Sequence, residues 1–152
     1  MIYITINKDL NLFNWLKTNP LLTDTLKFDF LGADNNSCSI SPIPEDTTIK
    51  TYIDGTKVKQ YSFALQSSFS VSENTDMINI ENMKVLRSWQ DWLSEQNGIK
   101  NFPDFGENCE IYKLEVLSNP QMSQFFENGI ATYQFFLRLE YIEYKNNRKG
   151  EK

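Results

Sequence analysis

The sequence predicts a single α+β domain, in which an antiparallel or mixed β-sheet with a long β-hairpin packs one face against two helices. Apolar residues alternate with polar ones along residues 60–72 and again along 130–145, which is the period of a strand with one buried face. Residues 10–19 and 76–98 instead carry apolar residues at helical spacing. The length of 152 residues is that of one domain.

The first helix is predicted over residues 10–19. Leu12 and Leu16 belong to its apolar stripe, and Asp9 precedes it as the expected N-cap. Pro20 ends the helix, because proline cannot continue a helical hydrogen-bond ladder. We therefore expect an amphipathic helix that covers one face of the sheet.

Two extended segments come after this helix. Leu26, Phe28 and Phe30 alternate with charged residues, which predicts a half-buried strand that ends at Gly32. Residues 38–46 form a second extended segment with two prolines. Since proline has no N–H to donate to a neighbouring strand, this segment is expected at the edge of the sheet.

A long hairpin is predicted around Asp54 and Gly55. Asp-Gly between two β-rich runs is a strong hairpin signal, because glycine accepts the positive φ that the turn requires. The second arm extends over residues 56–72, well beyond the usual strand length of about 5–6 residues. It is therefore expected to project past the sheet or to cross onto a neighbouring molecule.

The C-terminal half begins with the longest helix, from Asp76 or Asn79 to Gly98, for which Gly98 is the expected C-terminal cap. Strands are predicted at residues 109–117 and 130–145, separated by a turn or short helix. The domain is expected to span residues 1–144 and to be followed by a charged, disordered tail at 145–152.

The composition excludes several classes of function. The chain has no histidine, which removes Ser-His-Asp and Cys-His mechanisms and histidine-ligated zinc. Its net charge of −5 argues against direct nucleic-acid recognition and against anionic membranes, and no apolar run has the ~20 residues of a membrane helix. Cys38 and Cys109 are expected as two buried thiols rather than a disulfide. No cofactor or metal site is predicted.

Carboxylates are the only plentiful catalytic material. Asp91 and Glu95 lie four residues apart on the long helix, and the chain segment after it carries Asp104, Glu107, Glu110 and Glu115. Two such groups at about 5–9 Å could serve a glycosidase. The stronger interpretation places Asp91 and Glu95 on the solvent side of the helix, opposite its tryptophans. A small carboxylate-based hydrolase and a ligand-binding α+β module remain as alternative functions.

The order of the segments resembles a family of phage proteins. The segments that carry the resemblance are "LFNWLKTN", "LKFDFLG", "SISPIPED", "YIDGTKVKQYSFAL", "ENMKVLRSWQDWLSEQN", "FPDF" and "YQFFLRLEY". They look like the minor capsid proteins of tailed phages and prophages of Gram-positive bacteria, a group similar in plan to the siphophage tail terminators. The likeness spans about residues 10–144.

This resemblance implies a non-enzymatic structural protein of the virion. Such a protein assembles as a ring, typically hexameric, on the last ring of tail-tube protein in the host cytoplasm. It then remains in the tail or neck of the virion, where it meets the head-completion proteins. No catalytic residues carry over from the family. The positions that match its best-marked segment are Tyr52, Asp54, Gly55, Tyr61 and Phe63, with an expected role in hairpin architecture.

One face of the long strand is unusually plain. Its even-numbered side chains are small and uncharged, whereas an exposed strand face normally carries Lys, Glu or Thr. We expect this face and the neighbouring turn to contact another subunit or the tail tube, unless one of the chain's own helices covers it. The candidate interface residues are Asp54, Gly55, Lys57, Lys59, Ser62, Ala64, Gln66, Ser68 and Ser70.

Overall fold

The fold is known from a computed structural model, which describes residues 7–20, 26–28, 37–43, 48–70, 76–125 and 129–145. Two helices and seven strands lie within these ranges. In chain order they are α1 (Lys8–Leu16), β1 (Leu26–Phe28), β2 (Ser37–Pro42), β3 (Thr48–Thr51), β4 (Lys57–Ser70), α2 (Asp76–Ile99), β5 (Cys109–Val116), β6 (Gln121–Phe125) and β7 (Ile130–Glu143). The charged tail predicted at 145–152 lies outside the described residues, apart from Lys145.

The sheet is built around β4 and β7, which pair antiparallel over fourteen residues each. β2 and β3 pair with the other edge of β4, while β5 and β6 pair with the other edge of β7. β1 joins β2 in parallel, so the sheet is mixed. The predicted α+β fold is therefore confirmed. The expectation that the long strand projects past the sheet is wrong, because β7 accompanies it from end to end.

Both helices pack on the same face of the sheet. Odd-numbered residues of β4 and β7 stand opposite each other, as Leu65 and Phe135 do, and form one core with the apolar residues of α1 and α2. We call this side the core face and the opposite side the second face. Three tryptophans supply much of the helical contribution to the core, Trp15 from α1 and Trp89 and Trp92 from α2.

The described helix termini differ from the sequence prediction at three positions. α1 ends at Leu16 with Lys17 as its C-cap, so Pro20 is not the residue that ends it. Asn7, and not Asp9, is the N-cap of α1, since its Oδ1 accepts a hydrogen bond of 3.0 Å from the backbone N–H of Leu10. α2 continues through Gly98, and the left-handed residue behind it is Lys100, with φ of 60°. The N–H of Asn101 bonds back to the carbonyl of Gln96, as in a Schellman cap.

Two predicted assignments of extended structure also change. β2 is not an edge strand, because it pairs with β1 on one side and β4 on the other. Pro42 is its last residue, so the proline lies where the ladder ends and removes no internal hydrogen bond. Residues 121–125, expected as a turn or short helix, form strand β6. Cys38 and Cys109 are buried free thiols, as predicted.

The β3–β4 hairpin has the predicted turn. The N–H of Gly55 bonds to the carbonyl of Tyr52 at 3.0 Å, and the N–H of Thr56 bonds to Asp54 Oδ1 at 2.9 Å. Gly55 has φ of 92°, a conformation that strains any residue with a Cβ. The glycine is thus required by the backbone, and the aspartate side chain holds the turn closed.

A Gly55→Ala variant is expected to lose about 1–2 kcal/mol of unfolding free energy, because alanine is strained at positive φ. Its Cβ would also lie 2.7 Å from Lys145 Cδ, although that flexible side chain can move. Gly98→Ala is the matched control. It lies inside α2 with no atom near its added Cβ, and should gain about 0.5–1 kcal/mol. Urea denaturation of both variants measures the difference, and shifts of the same sign would contradict this account.

Candidate functional site

The small side chains of β4 lie together on the second face, as expected. Ser62, Ala64, Gln66 and Ser68 alternate with the core residues, and Ser70 ends the strand opposite Ile130. The apolar residues of α1 and α2 belong to the core on the other side of the sheet. Packing against these helices therefore does not explain why the side chains of this face are small and uncharged. Yet Ala64 is only 4% exposed and Ser68 is 0% exposed, so these small groups themselves offer little area to a partner.

The candidate lysines do not share this face. Lys57 and Lys59 occupy odd positions of β4, opposite Glu143 and Tyr141 of β7. Their side chains therefore stand on the core-face side, at the hairpin end of the sheet. Lys59 Nζ lies 3.1 Å from a carboxylate oxygen of Glu143. The candidate set is thus split between two faces, and Lys59 has an intramolecular role that the sequence analysis did not foresee.

A charged network occupies another part of the second face. Arg138 on β7 binds Glu115 on β5 with an N–O distance of 2.6 Å, and Lys113 lies 3.1 Å from the other oxygen of Glu115. Lys113 Nζ also lies 3.8 Å from a carboxylate oxygen of Glu140. The hydrogen bond from Lys113 lowers the pKa of Glu115, and Arg138 acts in the same direction. These ion pairs link β5 to β7 and hold Glu115 ionised.

The acidic pair considered for hydrolysis is exposed. Asp91 and Glu95 both lie on the solvent side of α2, as the sequence analysis preferred. Glu110 accepts a hydrogen bond from the Tyr144 hydroxyl at 3.0 Å. Among the residues that the structure describes, no three Cys, Asp or Glu side chains are grouped so as to hold a metal ion. One surface depression is lined by residues that include Ile80 and Tyr133, a second by Tyr52 and Tyr144, and a third by Asn7 and Phe13. None of these three depressions is lined by two described carboxylates.

Two tyrosines at the junction of α1 and the sheet have strongly raised pKa values. The Tyr61 hydroxyl donates a hydrogen bond to Asp9, and burial followed by this carboxylate raises the pKa of Tyr61 far above its usual value. Burial, with Cys109 and Glu143 nearby, raises the pKa of Tyr141 to about 12. Both phenols are therefore protonated at neutral pH, and the Tyr61–Asp9 contact ties α1 to β4.

The hairpin turn carries the most exposed apolar side chains of the candidate region. Ile53 is fully exposed, and Ile49 and Tyr52 are about half exposed. Asp54 beside them is exposed and has its Oδ1 bonded to Thr56. The sequence analysis named Asp54 and Gly55 but missed these apolar neighbours, because an Asp-Gly signal reports the turn and not the side chains that the turn presents to solvent.

Comparisons with known proteins leave the family open. No model of a protein family matches the sequence, and no curated protein matches it. Among the residues that are described, neither helix is long and apolar enough to cross a membrane.

Proposed function

We propose that this chain is a structural protein of a phage or prophage virion, a tail terminator that assembles as a ring on the tail tube. The proposal rests on the resemblance of its segments to that family and on an α+β fold of the kind the resemblance implies. In this role the protein assembles in the bacterial host cytoplasm, joins the tail tube to the head-completion protein, and acts through shape and self-association rather than catalysis.

The structural observation that supports a contact with another subunit or the tube is the apolar tip of the β3–β4 hairpin. A single exposed apolar residue is ordinary, but Tyr52 and Ile53 line the same surface depression on an ordered turn, and Ile49 is exposed on the strand that leads into it. Clustered apolar side chains on a rigid protrusion are typical of a contact that another protein completes. This supports the turn, more than the buried small residues of β4, as the subunit or tube contact.

Basic groups surround this tip. Lys50 Nζ lies 4.8 Å from the centre of the Tyr52 ring, and the Lys145 side chain passes beside Gly55. Lys57 begins the second strand of the hairpin. The partner patch should therefore combine apolar area with carboxylates, which a chain of net charge −5 can itself provide. In a cyclic ring, each subunit offers one such patch to a different patch on its neighbour.

Replacing Ile53 with glutamate is expected to weaken ring formation by about tenfold or more, since an apolar contact is lost and the added negative charge is repelled by the carboxylates of the partner patch. The matched control is Ile99→Glu, which makes the same change at another exposed isoleucine, at the end of α2. The measurement is light scattering on a sizing column across a wide concentration range, alone and with tail tubes, followed by negative-stain imaging.

The two parts of the proposal fail separately in this experiment. A chain that stays monomeric both alone and on tail tubes would contradict the terminator function. Rings that form equally well from the parent and from Ile53→Glu would contradict the hairpin contact. Unchanged thermal unfolding of the Ile53 variant is expected, because its side chain contacts solvent in the isolated chain.

A further inference from the structure

A groove runs between α2 and the sheet next to β6. The helix contributes apolar and cationic side chains, and the sheet contributes the ring of Tyr133. The residues that line this α2–β6 groove are Ile80, Met83, Lys84, Arg87 and Tyr133. Met122 of β6 pairs with Tyr133, so the two side chains lie about 5 Å apart at Cβ on one face and Met122 extends the apolar surface beside the groove.

A β-bulge builds the sheet side of this groove. In a regular strand, side chains three positions apart point to opposite faces. The register of β6 shifts between Met122 and Gln124, so that Met122 stands opposite Tyr133 and Phe125 opposite Ala131. Both partners belong to the core face. The extra residue therefore places two large apolar side chains on the helix side of the sheet, where they remain 49% and 51% exposed.

The backbone of β6 adds a second feature. All five residues of the strand are exposed, and none of them is charged. Among the described residues, β6 pairs with β7 on one side and with no strand on its outer side. Edge strands of stable monomers are usually protected by charged side chains such as lysine. As far as the described residues show, this neutral edge leaves N–H and C=O groups with which an added strand can pair.

The positive charges beside the groove favour an acidic partner. Lys84 and Arg87 both line it from α2. Arg87 forms no ion pair with any residue in the described part of the chain, and it is exposed. An occupant with carboxylates would satisfy this guanidinium, whereas a basic occupant would be repelled.

We propose that the α2–β6 groove binds an extended, acidic and apolar segment of a partner protein. The segment adds to β6 as a strand, its alternate apolar side chains cover Met122, Tyr133 and Met83, and a carboxylate reaches Arg87. Recognition by strand addition takes affinity from the main chain and specificity from the side-chain pockets. This inference goes beyond the proposed function and does not rest on it, because a monomeric chain would have the same groove.

The test is selection of displayed random peptides on the whole chain, on Arg87→Glu and on the control Lys17→Glu. Lys17 is an exposed cation at the end of α1, outside the groove. Peptides selected on the parent should alternate apolar and acidic residues. Their affinity, measured by fluorescence anisotropy, should fall about tenfold or more on Arg87→Glu and stay unchanged on Lys17→Glu. Selection on Arg87→Glu should favour basic peptides.

Hydrogen exchange tests the added strand. Binding of a selected peptide should slow exchange in residues 121–125, the backbone of β6. Failure to enrich any peptide, equal binding to Arg87→Glu, or protection confined to other segments would each overturn the inference. Protection of 121–125 that rises with protein concentration in the absence of peptide would identify a second copy as the occupant, and would also overturn it. Ring formation is scored separately, so neither result decides the other.

Discussion

Replacing Phe135 with alanine is expected to lower the free energy of unfolding by about 3–5 kcal/mol. Phe135 is fully buried at the centre of β7, opposite Leu65 of β4, and belongs to the core that both helices cover. Alanine would leave a cavity that the surrounding strands can fill only in part. A small domain has about 5–15 kcal/mol of stability in total, so this one change could remove a large share of it.

The next residue in the chain provides the control. Phe136 lies on the second face, opposite Ala64, and is only partly buried. Phe136→Ala should therefore cost less, about 1–2 kcal/mol. Urea denaturation monitored by circular dichroism gives both values. Equal losses at the two positions would mean that the second face is as well packed as the core, and the assignment of faces would be wrong.

The long strands could be predicted from the sequence because most of their core positions are large apolar residues that recur at every second position. Phe63, Leu65 and Phe69 on β4, with Phe135 and Leu137 on β7, give a period of two that no other structure satisfies equally. The pairing between the two strands was harder to predict from the sequence. An α-helix and two further strands separate them in the chain, and only the folded register shows that they run together over their whole length.

Strand β6 was missed for a physical reason. Its two apolar residues, Met122 and Phe125, are three apart, which is a helical spacing. In the structure the bulge after Met122 produces that spacing within a strand. A pattern of apolar residues does not distinguish such a bulge from a helical turn, and the segment was accordingly expected as a turn or short helix. The segment that carries the proposed peptide site was therefore not accessible from periodicity.

The end of α2 shows the same limit on a smaller scale. Glycine is the usual left-handed residue behind a helix, and Gly98 suggested the end of α2. The helix instead runs on to Ile99, and Lys100 accepts the left-handed conformation that a lysine normally avoids. The residue at which a helix ends depends also on contacts with segments distant in the chain, and here Leu114 of β5 donates its N–H to Asn97 at 2.8 Å.

The candidate interface was only partly accessible to sequence reasoning. The alternation correctly placed Ser62 and Ala64 on one face, and the same parity would have placed Lys57 and Lys59 on the other. Grouping the lysines with the serines followed their nearness in the chain rather than the period of the strand. The burial of these side chains could not be predicted, because it depends on neighbouring strands that the local sequence does not specify.

Replacing Trp92 with alanine is the second change expected to cost about 3–5 kcal/mol. Trp92 lies between the other two tryptophans, with its ring centre 5.2 Å from that of Trp15 on α1 and 6.0 Å from that of Trp89. It is buried and is the aromatic contact between the two helices. Its loss opens a cavity and removes edge and tilted ring contacts worth about 0.5–1.5 kcal/mol each.

Because α1 is only nine residues long, it depends on such contacts to stay helical. Trp92→Ala should therefore also increase hydrogen exchange in residues 8–16, whereas Phe135→Ala should destabilise the sheet and helices together. Trp92→Phe should recover part of the loss, since it keeps a ring in the cluster. Asp91→Ala, at the exposed neighbouring position, should change stability by less than about 0.5 kcal/mol. If Trp92→Ala leaves exchange in α1 unchanged, the helix is held by Leu12, Leu16 and the Asp9–Tyr61 hydrogen bond instead.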